Sequence, residues 1–234
     1  MKNVRTCLGT GNNPILSSNR WFGRHHCRHS LKLFANSQFV YIPIIAGANL
    51  DEGTTFVPTA TESTAQIQQA AFAATSPSPV SSEEQASVIN TILQMYPDDP
   101  ALGSAFGTGN EIFGLSAHIK RAAAILCKAS FTSLRRSIAQ TANVQGVKVF
   151  AYLFADPQAA TLPAYVGVEH GLDKAYVLDP NDTLGNSTRP LSSEHTTTSQ
   201  SDLQLNSANT LMVPDTFRDD QISFLMVNPE VLLP

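Results

Sequence analysis

The chain alternates short, nearly continuous apolar runs with longer stretches in which apolar residues recur every three or four positions. "QFVYIPIIAG", residues 38–47, is of the first kind: β-branched and aromatic residues closed by a glycine, which predicts a buried strand. "VKVFAYLFAD", residues 147–156, is a second such run, set off by Gly146. Between them the period changes. "TESTAQIQQAAFAA" puts Ile67, Ala70, Ala71 and Ala74 at helical spacing, and "TSPSPVS" then reads as a loop. Ser81 and Glu84 have the spacing of a capping box ahead of "EEQASVINTILQMY", where Val88, Ile92 and Met95 share one face. "PDDPALGSAFGTGN" is a glycine- and proline-punctuated connector. "EIFGLSAHIKRAAAILCKASF" returns to helix, which "TSLRRSIAQTANVQ" continues or replaces. After the second strand, "PQAATLPAYVGVEHGLDKAYVL" is a loop with short apolar pieces, and residues 179–209 form a polar Ser/Thr/Asn-rich stretch expected to be a flexible loop. "TLMVPDTFRDDQISFLMV" closes with a short strand and a helix opening at Pro214–Asp215.

Strand, several helices, strand, loop and tail is the order of part of an α/β protein with helical insertions between sheet strands. Two strands do not make a stable sheet, so the pattern predicts a portion of a larger one. The 234 residues are 42% hydrophobic and 15% charged, the composition of a globular protein, and no apolar run reaches the length of a membrane span. The net charge of −4 is uneven: residues 1–50 hold six of the 15 basic groups and none of the 19 acidic ones. This head lacks the apolar core of a secretory signal, and "GNNPILSSN" interrupts the amphipathic helix of an organellar presequence. Its charges are not interleaved with aromatics and do not continue into a folded region, so no nucleic-acid partner is expected. Residues 1–30 therefore read as an unmatched, disordered start. Cys27 lies among His25, His26 and His29, yet "HHCRH" lacks the paired spacing of a structural zinc site, and no metal is expected there.

The candidate chemistry sits just past the strands. Asp51 and Glu52 follow the first strand in "ANLDEGTTF", and His170 follows the second in "YVGVEHGLD". In open α/β sheets functional groups occupy the loops beyond the carboxyl ends of strands. A carboxylate there can fix the tautomer of an imidazole and stabilise the imidazolium formed during proton transfer. A solvated DEG turn and a structural histidine before glycine fit the same spacing.

Longer blocks distinguish the two. "FVYIPIIAGANLDEGTTF" resembles the acid-bearing segment of the type-B carboxylesterase/lipase family, the cholinesterase-like α/β-hydrolases, and most closely its fungal lipase-like branch. The resemblance continues through "MYPDDPALGSAFGTGNEIFG", "KRAAAILCKASFTSLRRSIAQ" and "VKVFAYLFADPQ", resumes at "GVEHGLDKAYVL", and returns at "VPDTFRDDQISFL". It covers roughly residues 31–178 and the last two dozen. What it implies is a Ser–His–Glu triad with Glu52 as the acid and His170 as the base. Asp51 is then a loop-shaping neighbour, and Asp173 takes a structural hydrogen bond. The substrate class implied is a carboxylic ester or lipid, and no cofactor is implied. Residues 31–234 are thus expected to form the C-terminal portion of an α/β-hydrolase domain, a partial sheet with helical insertions.

The pattern departs from the family in its nucleophile. No G-x-S-x-G occurs; the nearest string, "GLSAH" at 114–118, ends in histidine, and none of the 13 glycines adjoins another to make an oxyanion loop. The N-terminal half of the family's fold, with the nucleophile elbow, is expected to be absent, and the chain to be truncated and inactive alone. The other expectation is a non-catalytic binding or interaction protein of the same ancestry. An incomplete sheet further predicts self-association through exposed strand edges. Cys127–Lys128 stands where the family has Gly–Asp, which predicts loss of a buried polar contact. "NDT" at Asn181 and "NST" at Asn186 are N-glycosylation sequons, which fit the secreted parent that the resemblance implies; the localisation of this chain itself is left open.

Overall fold

In a computed structural model, the residues described are 33–34, 36–76, 78–156, 163–174, 201–205 and 211–232. Their centre is a mixed four-stranded sheet in the spatial order β1-β2-β3-β4, formed by β1 (Ile44–Asn49), β2 (Val149–Phe154), β3 (Ser201–Leu205) and β4 (Leu211–Pro214). The first three strands run parallel, with Asn49 opposite Phe154 and Phe154 opposite Leu205, and β4 returns antiparallel. β2 lies between two neighbours; Ala151 and Tyr152 are buried on opposite faces, and Phe154 at its end is 1% exposed. Burying a side chain of that size contributes about 1.5–3 kcal/mol. Tyr152, Phe154, Val168, Leu203 and Leu205 form the core beside the strand ends.

Between β1 and β2 the chain makes α1 (Thr64–Ala74), α2 (Ser82–Met95), α3 (Ala117–Cys127), a π-helical turn (Lys128–Thr132) and α4 (Ser133–Val144). The capping box falls one helix earlier than its expected place. Ser63 and Gln66 exchange both bonds at the start of α1, whereas Ser81 only accepts from the Glu84 N–H and so caps α2 with half a box. α3 starts later than its apolar pattern suggests, because Gly114 (φ 72°) turns the chain and Ser116 then caps the helix. Arg121 on α3 donates to the carbonyls of Leu93 and Tyr96 and satisfies the C-terminal end of α2. Val88 and Ile92 of that helix, with Tyr96 just past its end, pack with Ala124, Leu225 and Val231. The last two belong to α5 (Asp219–Val227) and α6 (Pro229–Leu232).

β3 corrects the expectation of a flexible polar loop over residues 179–209, since Ser201–Leu205 forms a strand. The alternation of "SDLQL" buries Leu203 and Leu205, and Asp202 is buried as well because Arg135 on α4 reaches it with two hydrogen bonds of 2.7 and 2.8 Å. Arg135 and Arg136 also bond Asp215 just past β4, so a charge network fastens the last two strands to α4. β1 ends the sheet on the other side: among the described residues no strand pairs its outer edge, and Ile45 is 64% exposed.

Candidate active site

β1 and β2 are adjacent and parallel, so the segments leaving their carboxyl ends emerge side by side. Leu50 continues the pairing past β1 by donating its N–H to the Phe154 carbonyl. The chain then turns through Asp51, Glu52 and Gly53, and Gly53 lies hard against α3. A Cβ there would come 2.2 Å from the Ala123 carbonyl oxygen and 2.8 Å from the Cys127 nitrogen, so only glycine fits. The DEG turn is therefore a buried junction of strand and helix, and all three of its residues are buried.

Glu52 points at the loop beyond β2. Its Oε2 lies 2.5 Å from His170 Nδ1, and its Oε1 accepts the Asn49 N–H at 2.6 Å. Burial pushes the Glu52 carboxyl above its ordinary range, against the Asn49 and His170 bonds that stabilise the anion. With Nδ1 donating to that carboxylate, Nε2 is the ring nitrogen left to accept a proton. The two side chains differ in access: that of Glu52 is 7% exposed and that of His170 41%. Two aromatic rings flank the imidazole, Phe131 at 5.0 Å and Phe56 at 5.3 Å between centroids, and Phe131 is carried by the π-helical turn.

Asp51 turns the opposite way. Its carboxylate accepts from the Ser104 hydroxyl (2.6 Å), the Phe106 N–H (2.8 Å) and the Val168 N–H (3.0 Å). Burial again raises its pKa, with these donors and the Lys128 charge pulling the other way. Asp173 accepts the Tyr152 hydroxyl at 2.6 Å and the Asn49 amide at 3.3 Å. Burial first, and that carboxylate second, hold the Tyr152 hydroxyl well above its usual value. Gly47 leaves room for the ring of Tyr152, its cross-strand partner, at a place where a Cβ would overlap it.

The structure thus joins Glu52 to His170 and gives Asp51 and Asp173 separate partners. Sequence reasoning missed Asn49, whose backbone N–H bonds Glu52 and whose side chain bonds the Glu169 carbonyl. Nothing in the residue spacing marks Asn49, whose burial at the strand end appears only in the fold. Lys128 is buried with its ammonium 4.9 and 5.0 Å from the ring centres of Phe106 and Phe217, so a cation–π contact stands at the position where a polar contact was expected to be lost. Ser116 of "GLSAH" caps α3 and accepts the His118 N–H. Among the described residues no serine hydroxyl bonds the His170 ring, and no group of three or more His, Cys, Asp or Glu gathers as a metal site. Asn181, Asn186 and the Cys27 cluster lie outside the described residues.

The fold has a close counterpart. A crystal structure of Aspergillus niger EstA superimposes with a TM-score of 0.63, covering 87% of this chain and 43% of that one at 16% identity. The common architecture is a mixed sheet with helices of the α/β-hydrolase type, present here in part. In sequence, the chain is 29% identical over 220 residues to Lipase 4 of Diutina rugosa, covering 85% of this chain and 38% of that protein. It is 29% identical over 219 residues to Lipase 2 of the same organism, over 84% of this chain and 38% of the relative. Lipase 2 of Geotrichum candidum matches at 28% over 156 residues, 64% of this chain and 25% of that protein. No family model matches the chain. The chain is thus similar in sequence to these fungal lipases, and it spans at most about two fifths of the length of the curated relatives it matches.

Proposed function

We propose that this chain carries the acid–histidine portion of a serine-type carboxylic-ester hydrolase. The observation that carries the reading is the 2.5 Å contact between Glu52 and His170 at the ends of two adjacent parallel strands. In the reaction, His170 Nε2 takes the proton of a serine hydroxyl as its oxygen attacks the ester carbonyl. Glu52 stabilises the imidazolium, which then protonates the departing alcohol and leaves an acyl-enzyme. Water, deprotonated by the same imidazole, releases the acid and regenerates the serine. The substrate class is a carboxylic ester or lipid, as it is by name for the related lipases, and export from the cell fits the two sequons. No nucleic acid takes part, and among the described residues no helix is long and apolar enough to cross a membrane.

The serine is not assigned to any of these 234 residues, because none stands in G-x-S-x-G. By themselves they are then a non-catalytic chain, and the outer edge of β1, which no strand pairs among the described residues, supplies a surface for self-association. A fluorophosphonate probe tests this. The 234-residue chain should remain unlabelled, and an extended product whose coding sequence runs upstream into an in-frame G-x-S-x-G should label at that serine. Labelling of a serine within the 234 residues overturns the assignment.

A further inference from the structure

The loop that carries His170 is irregular, yet its histidine sits within hydrogen-bonding distance of a carboxylate on another strand. Catalytic geometry has to be held to about 0.5 Å by surrounding contacts. Those contacts come from one short segment, residues 49–54. The Asn49 side-chain amide donates to the Glu169 carbonyl at 2.6 Å. Asp51 pairs with Val168 twice: its N–H donates to the Val168 carbonyl at 2.9 Å and its Oδ2 accepts the Val168 N–H at 3.0 Å. The Thr54 hydroxyl donates to the Val166 carbonyl at 2.6 Å. Gly167, at φ +65°, lets the loop approach this closely, since a Cβ there would lie 2.4 Å from Asp51 Oδ2.

We propose that Asn49, Asp51 and Thr54 are positioning residues that clamp the backbone of residues 166–169 and so set His170 Nδ1 against Glu52. The clamp rests on reading Glu52 and His170 as the working pair. It lies on the same turn as the acid, so the acid and the backbone that aims its histidine move as one unit. It is braced from a third segment, because Asp51 Oδ1 accepts from Ser104 and Phe106 of the connector between α2 and α3. An acceptor is needed at both carboxylate oxygens. An asparagine at 51 would place its NH2 against a backbone N–H in either orientation, that of Val168 or that of Phe106.

The test is the strongly downfield Nδ1 proton of His170 in the 234-residue chain labelled with 15N-histidine, read beside far-UV circular dichroism and thermal melting. The wild-type chain should show the resonance. Asp51→Asn and Thr54→Val should lose it while keeping a cooperative melt, and Thr54→Ser, which restores a hydroxyl, should recover it. Ser104→Ala, which leaves the Val168 bonds in place, should retain it. If both Asp51→Asn and Thr54→Val keep the wild-type resonance, the clamp is wrong. Should Asp51→Asn fail to fold, Thr54→Val decides alone: loss supports the clamp and retention overturns it. Absence of the resonance from the wild-type chain overturns the Glu52–His170 pair itself, and the clamp with it.

Discussion

Replacing Arg135 with methionine tests whether charge holds the polar strand β3 in the sheet. Arg135 makes two hydrogen bonds to Asp202, at 2.7 and 2.8 Å, and a third to Asp215 at 3.1 Å, and all three side chains are at most 7% exposed. Asp215 keeps two bonds from Arg136 in the variant, but Asp202 loses its bidentate cation. Breaking a buried pair by removing one partner costs about 3–5 kcal/mol, because the remaining charge stays buried. In a domain of this size that lowers Tm by roughly 6–20 °C. Asp202 also gives the loss a pH signature. Burial already raises its pKa against the pull of Arg135, and removing the guanidinium raises it further. A carboxyl with a raised folded-state pKa contributes stability that is present below its unfolded value and lost as pH rises through the folded one. The deficit of Arg135→Met should therefore shrink on acidification. Urea unfolding at several pH values measures it, and Arg135→Met/Asp202→Leu should recover most of the loss because no charge is left unpaired. A single-variant cost below about 1 kcal/mol, the range of exposed pairs, would refute the placement of Asp202 in a buried strand.

Two further outcomes follow from other parts of the fold. Burial raises the Glu52 pKa, so ionising it costs folding stability as pH climbs from the unfolded carboxylate range through the folded value. Glu52→Gln cannot ionise and should gain stability relative to wild type over that interval; a pH-independent difference between the two in urea titrations speaks against a buried carboxylate whose ionisation is penalised. The outer edge of β1 carries no charged residue from Ile44 to Asn49, and Ile45 is exposed on it. Ile45→Lys should weaken self-association at least about tenfold, ~1.4 kcal/mol. Sedimentation velocity would count against this if the wild-type chain stays monomeric over the full concentration range.

Much of this arrangement was legible in the residues, and what was not has a physical reason. β1 and β2 announce themselves as apolar runs because both end in the core beside the site, although β1 starts six residues later and ends two residues later than the run in "QFVYIPIIAG". β3 was hidden because Asp202 looks solvated until its partner, 67 positions earlier in the chain, is brought beside it. The start of α3 was hidden by Ile112, Phe113 and Leu115, whose spacing imitates a helix although Gly114 turns the backbone. Glu52 and His170 stood out as a candidate pair from their positions past two strands together with the resemblance of the blocks around them, and their side chains meet in the fold. The residues around them were not: Asn49, Thr54 and Ser104 make hydrogen bonds to backbone or to the buried Asp51 carboxylate that no residue spacing encodes.

The contact between Glu52 and His170 carries the whole functional reading, and the histidine nitrogen spectrum of wild type beside Glu52→Gln tests it most directly. A Glu52–His170 hydrogen bond requires a strongly downfield Nδ1 proton on His170 in the wild-type chain and its loss in Glu52→Gln, with the other five histidines unchanged. A wild-type spectrum without that proton, or a Glu52→Gln spectrum that keeps it, rules the Glu52–His170 pair out.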